Sequence, residues 1–288
     1  MARELTYFRG EVRDRRELSA HLVRLVIGGD GIGGWVSSGV PDEALLVVVP
    51  EPGSTHLTMP DEVGDGDDPY ERSRWYTVRR YDDRRHELTV DVVLHESGLA
   101  TGWARDVRAG DAVGISSTHH WYARPANARW QVLCGDIVAL PAIGRIIEQT
   151  PDHVRTLAYV EVPDLGDRQP GLGAAVTWVH NPRLGDRGSE LAGIVRGLRL
   201  PDGTGYVYVA GEASATRAVR KYLRHEAGLE KGSYGVVGYW RVRSEEWMRR
   251  YREARIDLES VYADGERNGT DPEQLSDEVD RRLDAAGL

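Results

Sequence analysis

The hydrophobic period of this chain changes midway, and that change limits the fold more than any single motif does. Up to residue 116 the apolar residues fall in short runs: residues 8–12, HLVRLVIGG from His21, ALLVVV from Ala44 closed by Pro50, RWYTVRRYD from Arg74, ELTVDVVLH from Glu87 and DAVGIS from Asp111. They alternate or cluster branched side chains and end in Gly or Pro, as half-buried strands do. Several short strands at this spacing predict a small antiparallel barrel. One helix, residues 99–107, interrupts them, and residues 51–72, rich in Gly, Pro and acids without a period, read as a surface loop.

From Trp130 onward strands and helices alternate. The strands are WQVLCGD at 130–136, then 154–162, 175–182, 205–212 and 233–240; the helices are 137–151, 189–198 and 213–228. Such alternation reads as a doubly wound parallel sheet with helices on both faces. SSTHHWYARPANAR, between the two patterns, has the chemistry of a linker. The reading divides the chain into a barrel domain at 1–118, an α/β domain at 128–243 and a charged helical tail at 244–288.

The 288 residues carry a net charge of −9, which argues against a general nucleic-acid binder because neutralising phosphates needs a basic surface. The run ALLVVV is too short to insert in a membrane, and the first residues have no apolar stretch of the signal-peptide kind. A single cysteine, Cys134, leaves no disulfide framework or cysteine metal cluster, as expected of a soluble protein in the cytoplasm. No metal site is expected, and the partner is a small-molecule substrate.

Five stretches carry candidate chemistry. In RWYTVR, strand alternation puts Arg74, Tyr76 and Val78 on one side and Trp75, Thr77 and Arg79 on the other. An Arg-x-Tyr-Thr strand supplies a cation, an aromatic wall and hydroxyl donors; the same residues also suit a barrel strand with a packed Tyr and exposed arginines. In HESGLATGWA, His95 and Gly98 precede a helix whose first turn holds Ala100 and Thr101. Free N–H groups there suit a phosphate, although Gly and Thr also cap helices for structural reasons. Gly135 and Asp136, followed by Pro141, end one strand and open a helix; Gly211 and Glu212 do the same at the next. Both strand ends fall on one sheet edge, where doubly wound sheets bind nucleotides. Gly238-Tyr239-Trp240-Arg241 closes the last strand with two aromatics and a cation.

In this order the motifs resemble the siderophore-interacting protein family over roughly residues 8–243. The resemblance implies an FAD-binding barrel followed by a domain that accepts NADPH or NADH, with electrons passing to a ferric siderophore. It implies that Arg74, Tyr76 and Thr77 touch the flavin and its phosphate arm, and that His95, Gly98, Ala100 and Thr101 line the rest of the FAD. Gly135, Asp136, Pro141, Gly211 and Glu212 would mark the nicotinamide side, and Arg241 would face an anionic substrate. No protein acid or base is required, because the cofactor carries the difficult chemistry.

Three departures from the family pattern leave other readings open. Ile137-Val138 stands where a polar pair is usual, Ser116 to Trp121 replaces a Gly-Pro-Arg-Gly-like turn, and the strand ALLVVVP lacks a lysine near the substrate mouth. His119 and His120 are therefore substrate-binding candidates that could replace the lost charge, although paired histidines in a linker are commonly exposed bystanders. The alternatives are a flavoenzyme of this fold redirected to a small organic substrate in secondary metabolism, and a binder without catalysis.

Overall fold

The computed structural model describes residues 5–64, 71–95, 98–186 and 188–288. Its backbone divides into two units, Met1–Tyr239 and Trp240–Leu288.

In the first unit, β1 (Tyr7–Glu17), β2 (Leu22–Gly28), β3 (Ala44–Val48), β4 (Ser73–Asp82), β5 (Glu87–Val93) and β6 (Ala112–Ser116) close into a barrel of order β1-β2-β5-β4-β3-β6. Every pairing is antiparallel, as the alternating pattern predicts. Alternate residues fill the interior, among them Val23, Leu25, Ile27, Leu45, Val47, Val78, Val90 and Ile115. On the outer face Arg24 lies opposite Asp91 and makes two hydrogen bonds to its carboxylate, at 2.6 and 2.7 Å. Helix α1 (Leu99–Asp106) follows β5.

β3 is buried along its whole length because both its faces are covered. Leu45 and Val47 enter the barrel, while Val48 packs against Leu57 and Met59. The stretch expected as a surface loop thus supplies a buried cover at these residues; without a hydrophobic period, two isolated apolar side chains left no signal. Residues 65–70 of that stretch lie outside the described residues.

The α/β half comprises β7 (Trp130–Asp136), α2 (Leu140–Gln149), β8 (Arg155–Val162), β9 (Val176–His180), α3 (Leu191–Gly197), β10 (Gly205–Glu212), α4 (Ala213–Lys221) and β11 (Tyr234–Trp240). The sheet runs β11-β10-β7-β8-β9, with β7 parallel to both β8 and β10 and β8 parallel to β9. Side chains alternate between two cores. Leu133, Val160, Tyr206 and Tyr208 meet Ile143 and Ile146 of α2 on one face; Val132, Cys134, Val207 and Val209 meet Leu191, Val195 and Val219 of α3 and α4 on the other. Helix α2 starts three residues later than expected, since the Asp136 carboxylate accepts the Val138 N–H (2.9 Å) and holds a turn ahead of it. Helix α4 ends at Lys221, and its expected last turns are a π-helical segment, Tyr222–Glu226.

Two ion pairs fasten α2 to the barrel. Arg145, 5% exposed, donates to Glu43 (2.8 Å) and to the Val78 carbonyl (2.7 Å), while Glu43 is fully buried and also accepts from Ser37 and Ser38. Arg79 pairs with Glu148 through two hydrogen bonds and is itself buried, whereas Arg74 and Arg80 on the same strand are exposed. The sequence pattern could not show this, because the partner lies on an element 69 residues away.

The second unit holds α5 (Ser244–Ala254), α6 (Leu258–Asn268) and α7 (Pro272–Ala285). Val261 and Leu283 are buried in it, and Glu278 pairs with Arg281 and Arg282 one turn on. Among the described residues no helix is long and apolar enough to cross a membrane.

Removing one partner of a buried pair leaves an uncompensated charge. Arg145→Met is expected to destabilise the protein by about 3–5 kcal/mol. The double variant Arg145→Met, Glu43→Gln should recover much of the loss, with both values read from urea denaturation.

Candidate functional site

The strand order reverses beside β7, so the carboxyl ends of β7 and β10 flank the crevice where open α/β sheets take ligands. Asp136 and Glu212 end these strands, and both are buried. The Asp136 carboxylate accepts the N–H groups of Val138 and Glu212, each at 2.9 Å. Glu212 in turn accepts from the Ser214 and Ala215 N–H groups (2.7 and 2.9 Å) and caps α4. The two carboxylates therefore shape the crevice edge by holding backbone turns. A Cβ on Gly211 would collide with the Asp136 carboxylate, and one on Gly135 with Ala139, Ile143 and the Ala210 carbonyl. Pro141 is buried in the first turn of α2.

β4 divides its site residues between two faces. Tyr76 and Val78 pack on the barrel core, and burial pushes the Tyr76 phenol up to about 12. Thr77 and Arg79 face the α/β half. Arg74 is exposed; one guanidinium nitrogen donates to the Glu71 and Ser73 carbonyls (3.0 and 2.7 Å), and among the described residues it meets no carboxylate.

At α1, Gly98 takes φ +134°, and a Cβ there would strike the His95 imidazole. Ala100 and Thr101 are buried, with the Thr101 hydroxyl turned toward the Val93 carbonyl at 3.5 Å. This leaves the N–H groups of the first turn as the polar donors of the helix end. Glu96 and Ser97 of this motif lie outside the described residues.

The linker is tied down rather than loose. His119 exchanges backbone hydrogen bonds with Ala44 (2.7 and 2.9 Å), and the Ala123 N–H donates to the Tyr206 hydroxyl (3.2 Å). The Asp42 carboxylate, fully buried, accepts the Trp121 and Tyr122 N–H groups at 3.0 and 2.8 Å and the Tyr208 hydroxyl at 3.1 Å. Tyr208 also bonds Tyr239 of β11 at 2.8 Å. Burial raises the Asp42 carboxyl above its ordinary value against the lowering effect of these hydrogen bonds, and it raises the phenols of Tyr208 and Tyr239. Trp121 is 37% exposed, with the His119 ring edge-on at 4.6 Å and the Tyr239 ring at 6.1 Å. His120 is exposed beside them.

The structure thus joins Asp42, Tyr208, Tyr239 and the His119–Trp121 strap in one network, and Gly135, Asp136, Gly211 and Glu212 in another. Arg241 belongs to the second unit, where its guanidinium lies 4.1 Å from the Trp247 ring centroid. The donor set on β4 and α1 fits FAD: among the described residues, a cation without a carboxylate partner, helix-end N–H groups, and an aromatic hydroxyl with no hydrogen-bond partner. Among the described residues, no group of three or more His, Cys, Asp or Glu is placed to hold a metal ion.

The sequence matches the model of the siderophore-interacting FAD-binding domain over residues 11–119 and that of the siderophore-interacting protein over residues 128–243. It is 33% identical over 252 residues to the NADPH-dependent ferric-chelate reductase of Escherichia coli, covering 84% of this chain and 93% of that protein. The chain belongs to the siderophore-interacting protein family. It is also 28% identical to the ferric vibriobactin reductase ViuB of Vibrio cholerae, covering 85% of this chain and 93% of that one. The crystal structure of a siderophore utilization protein from T. fusca superposes with a TM-score of 0.67 at 30% identity, over 82% of this chain and 93% of that chain.

Within this family member, Asp42 and Tyr208 escaped sequence reasoning. Asp42 reads as a turn residue, and the only available signal was a pair of acids directly before the most apolar strand. A carboxyl raised on folding stabilises the protein below its unfolded value and loses that contribution as pH rises through its folded value. Relative to Asp42→Asn, the wild type should therefore gain thermal stability on acidification and lose it toward neutral pH. Melting curves across the acid range check this, and parallel curves would contradict it.

Proposed function

We propose that this protein is an FAD-dependent ferric-siderophore reductase that draws electrons from NADPH or NADH. The observation that carries the reading is the seating of α2 on β4, where Arg79 pairs with Glu148 and Arg145 donates to the Val78 carbonyl, which sets the strand fitted to a flavin against a nucleotide-binding sheet. The two reductases of the family named above act on ferric chelates, which supports the same substrate class here.

Arg74 would hold the pyrophosphate through its remaining N–H donors, together with the first-turn N–H groups of α1 beside His95 and Gly98. Tyr76 would wall the ring and Thr77 would hydrogen-bond its edge. Gly135 and Gly211, kept bare by the packing around Asp136, would let a nicotinamide nucleotide approach the backbone, with Glu212 and Pro141 fixing the helix starts on either side. FAD, when bound, supplies the conversion of a two-electron donor into single electrons for Fe(III), which side chains cannot perform. His119 and His120 are the substrate-side groups of the first unit, and Arg241 is a candidate cation in the second. Anionic ferric chelates need local cations on a chain of net charge −9, and β3 provides none.

The test is the visible spectrum of the purified protein, kept anaerobic, after NADPH and then a ferric siderophore. Bleaching by NADPH followed by return of the colour on the iron chelate is expected. A yellow protein that ferric chelates do not reoxidise would favour a flavoenzyme with another substrate. Arg74→Ala should lower FAD affinity by roughly tenfold or more, as loss of a charge-assisted contact does; unchanged affinity by fluorescence titration would remove β4 from the flavin site.

A further inference from the structure

The connection from β8 to β9 leaves the sheet at the edge where Asp136 and Glu212 stand, since Glu161 lies in register with Asp136 one residue before β8 ends. Of residues 163–171 in this connection, Asp167 alone is buried; the rest are exposed or half-buried. Its carboxylate reaches the barrel. One oxygen accepts the Ser19 hydroxyl at 2.5 Å, and the other takes the His21 ring Nδ1 at 2.9 Å and the Asp164 N–H at 3.2 Å. Ser19 and His21 form the turn between β1 and β2, where the Ser19 hydroxyl oxygen also accepts the His21 N–H at 3.3 Å. Leu18 and Leu22, on either side of that turn, pack into the core that α2 shares with the sheet.

We propose that Ser19, His21 and Asp167 form a pH-sensitive latch that gates one side of the nucleotide crevice. While His21 is charged, the latch holds the β8–β9 connection on the barrel; when His21 loses its proton, the connection is freed. The gating of the crevice rests on the nucleotide-binding reading of the preceding section, and the latch itself does not.

A sealed carboxylate is tolerated only when donors surround it. The Asp167 side chain is fully buried and takes two of its three donors from the barrel, whereas the His21 ring is 37% exposed and exchanges its proton with solvent. Histidine is the side chain whose charge changes near neutral pH. The imidazolium gives Asp167 an ion pair and a charge-assisted hydrogen bond; the neutral ring gives at most a neutral one. The full hold therefore exists between the pH that ionises the carboxylate and the pH that discharges the ring. With one buried anchor, residues 163–171 open locally at little cost once that hold weakens. Charged groups on the neighbouring elements are engaged elsewhere. Glu17 of β1 pairs with Arg15, Arg24 of β2 with Asp91 of β5, and within the connection Asp164 accepts the Gly166 N–H while Arg168 donates to the Leu165 carbonyl. His95, two residues beyond β5, is a second histidine, so a His21 variant must accompany any pH series.

Amide hydrogen exchange of the full chain as purified, corrected for the intrinsic pH dependence of exchange, reads the latch directly. From about pH 5 to about pH 8, protection of residues 163–171 should fall roughly tenfold, the difference between a charge-assisted and a neutral hydrogen bond. His21→Asn keeps a donor without a charge, and Asp167→Asn removes the other charge; in both, protection should stay at the wild-type high-pH level throughout, with β7 as protected as in the wild type. Wild-type protection that does not change with pH, or a pH dependence that survives in His21→Asn, overturns the latch and leaves the reductase reading standing. In the FAD-loaded chain, release of NADP+ followed by stopped flow should quicken by a similar factor over the same range, and stay constant in His21→Asn. Release that ignores pH while residues 163–171 open overturns the gate. A chain that binds neither NADP+ nor NAD+ overturns the reductase reading and the gate with it, while exchange still decides the latch.

Discussion

Asp42 and Glu43, adjacent and both fully buried, stand at the point where the barrel meets the sheet. Each carboxylate takes at least one donor distant in sequence. Glu43 takes Arg145 of α2, and Asp42 takes the linker backbone and Tyr208 of β10. Burying charge is costly unless every lone pair finds a donor. These two residues therefore tolerate only one mutual placement of β3, α2, β10 and the linker. The candidate site inherits that placement, since Tyr208 meets Asp42, and Arg145 meets the Val78 carbonyl, only if the barrel and the sheet are held against each other.

The same constraint gives the linker its chemistry. A segment of Ser, Thr, His and Pro would ordinarily be mobile, and its histidines would be bystanders. Here Asp42 and Ala44 hold its backbone, so Trp121 and His119 form a fixed aromatic ledge beside Tyr239. Rigid aromatic surface costs little further ordering when a planar ligand binds. At the crevice edge the logic is reversed. Asp136 and Glu212 are polar residues that turn inward to secure backbone, leaving glycine backbone as the surface a nucleotide would meet.

Membership of the siderophore-interacting protein family and the structure together explain why several departures in the sequence are compatible with the fold. The all-apolar β3 needs no lysine for packing, because Leu57 and Met59 close over its outer face. Ile137 is buried in the core that α2 shares with the sheet, while the turn it belongs to is held by Asp136 rather than by a hydroxyl on Val138. Arg241 lies over the Trp247 ring in its own unit, a cation–π contact.

Periodicity by itself determined the two architectures and their order, since alternation of period two and strand–helix alternation are local consequences of side-chain direction. It also placed Gly135 and Gly211 near strand ends and Arg-x-Tyr-Thr on a strand, because those positions follow from backbone conformation and residue type at one point of the chain. Tertiary structure alone decided which polar groups meet. Arg79 with Glu148, Arg145 with Glu43, and Asp42 with Tyr208 are separated by 69, 102 and 166 residues. Their energies depend on shared burial, which no local pattern encodes, so the site's connections emerged only once the barrel and the sheet were packed together.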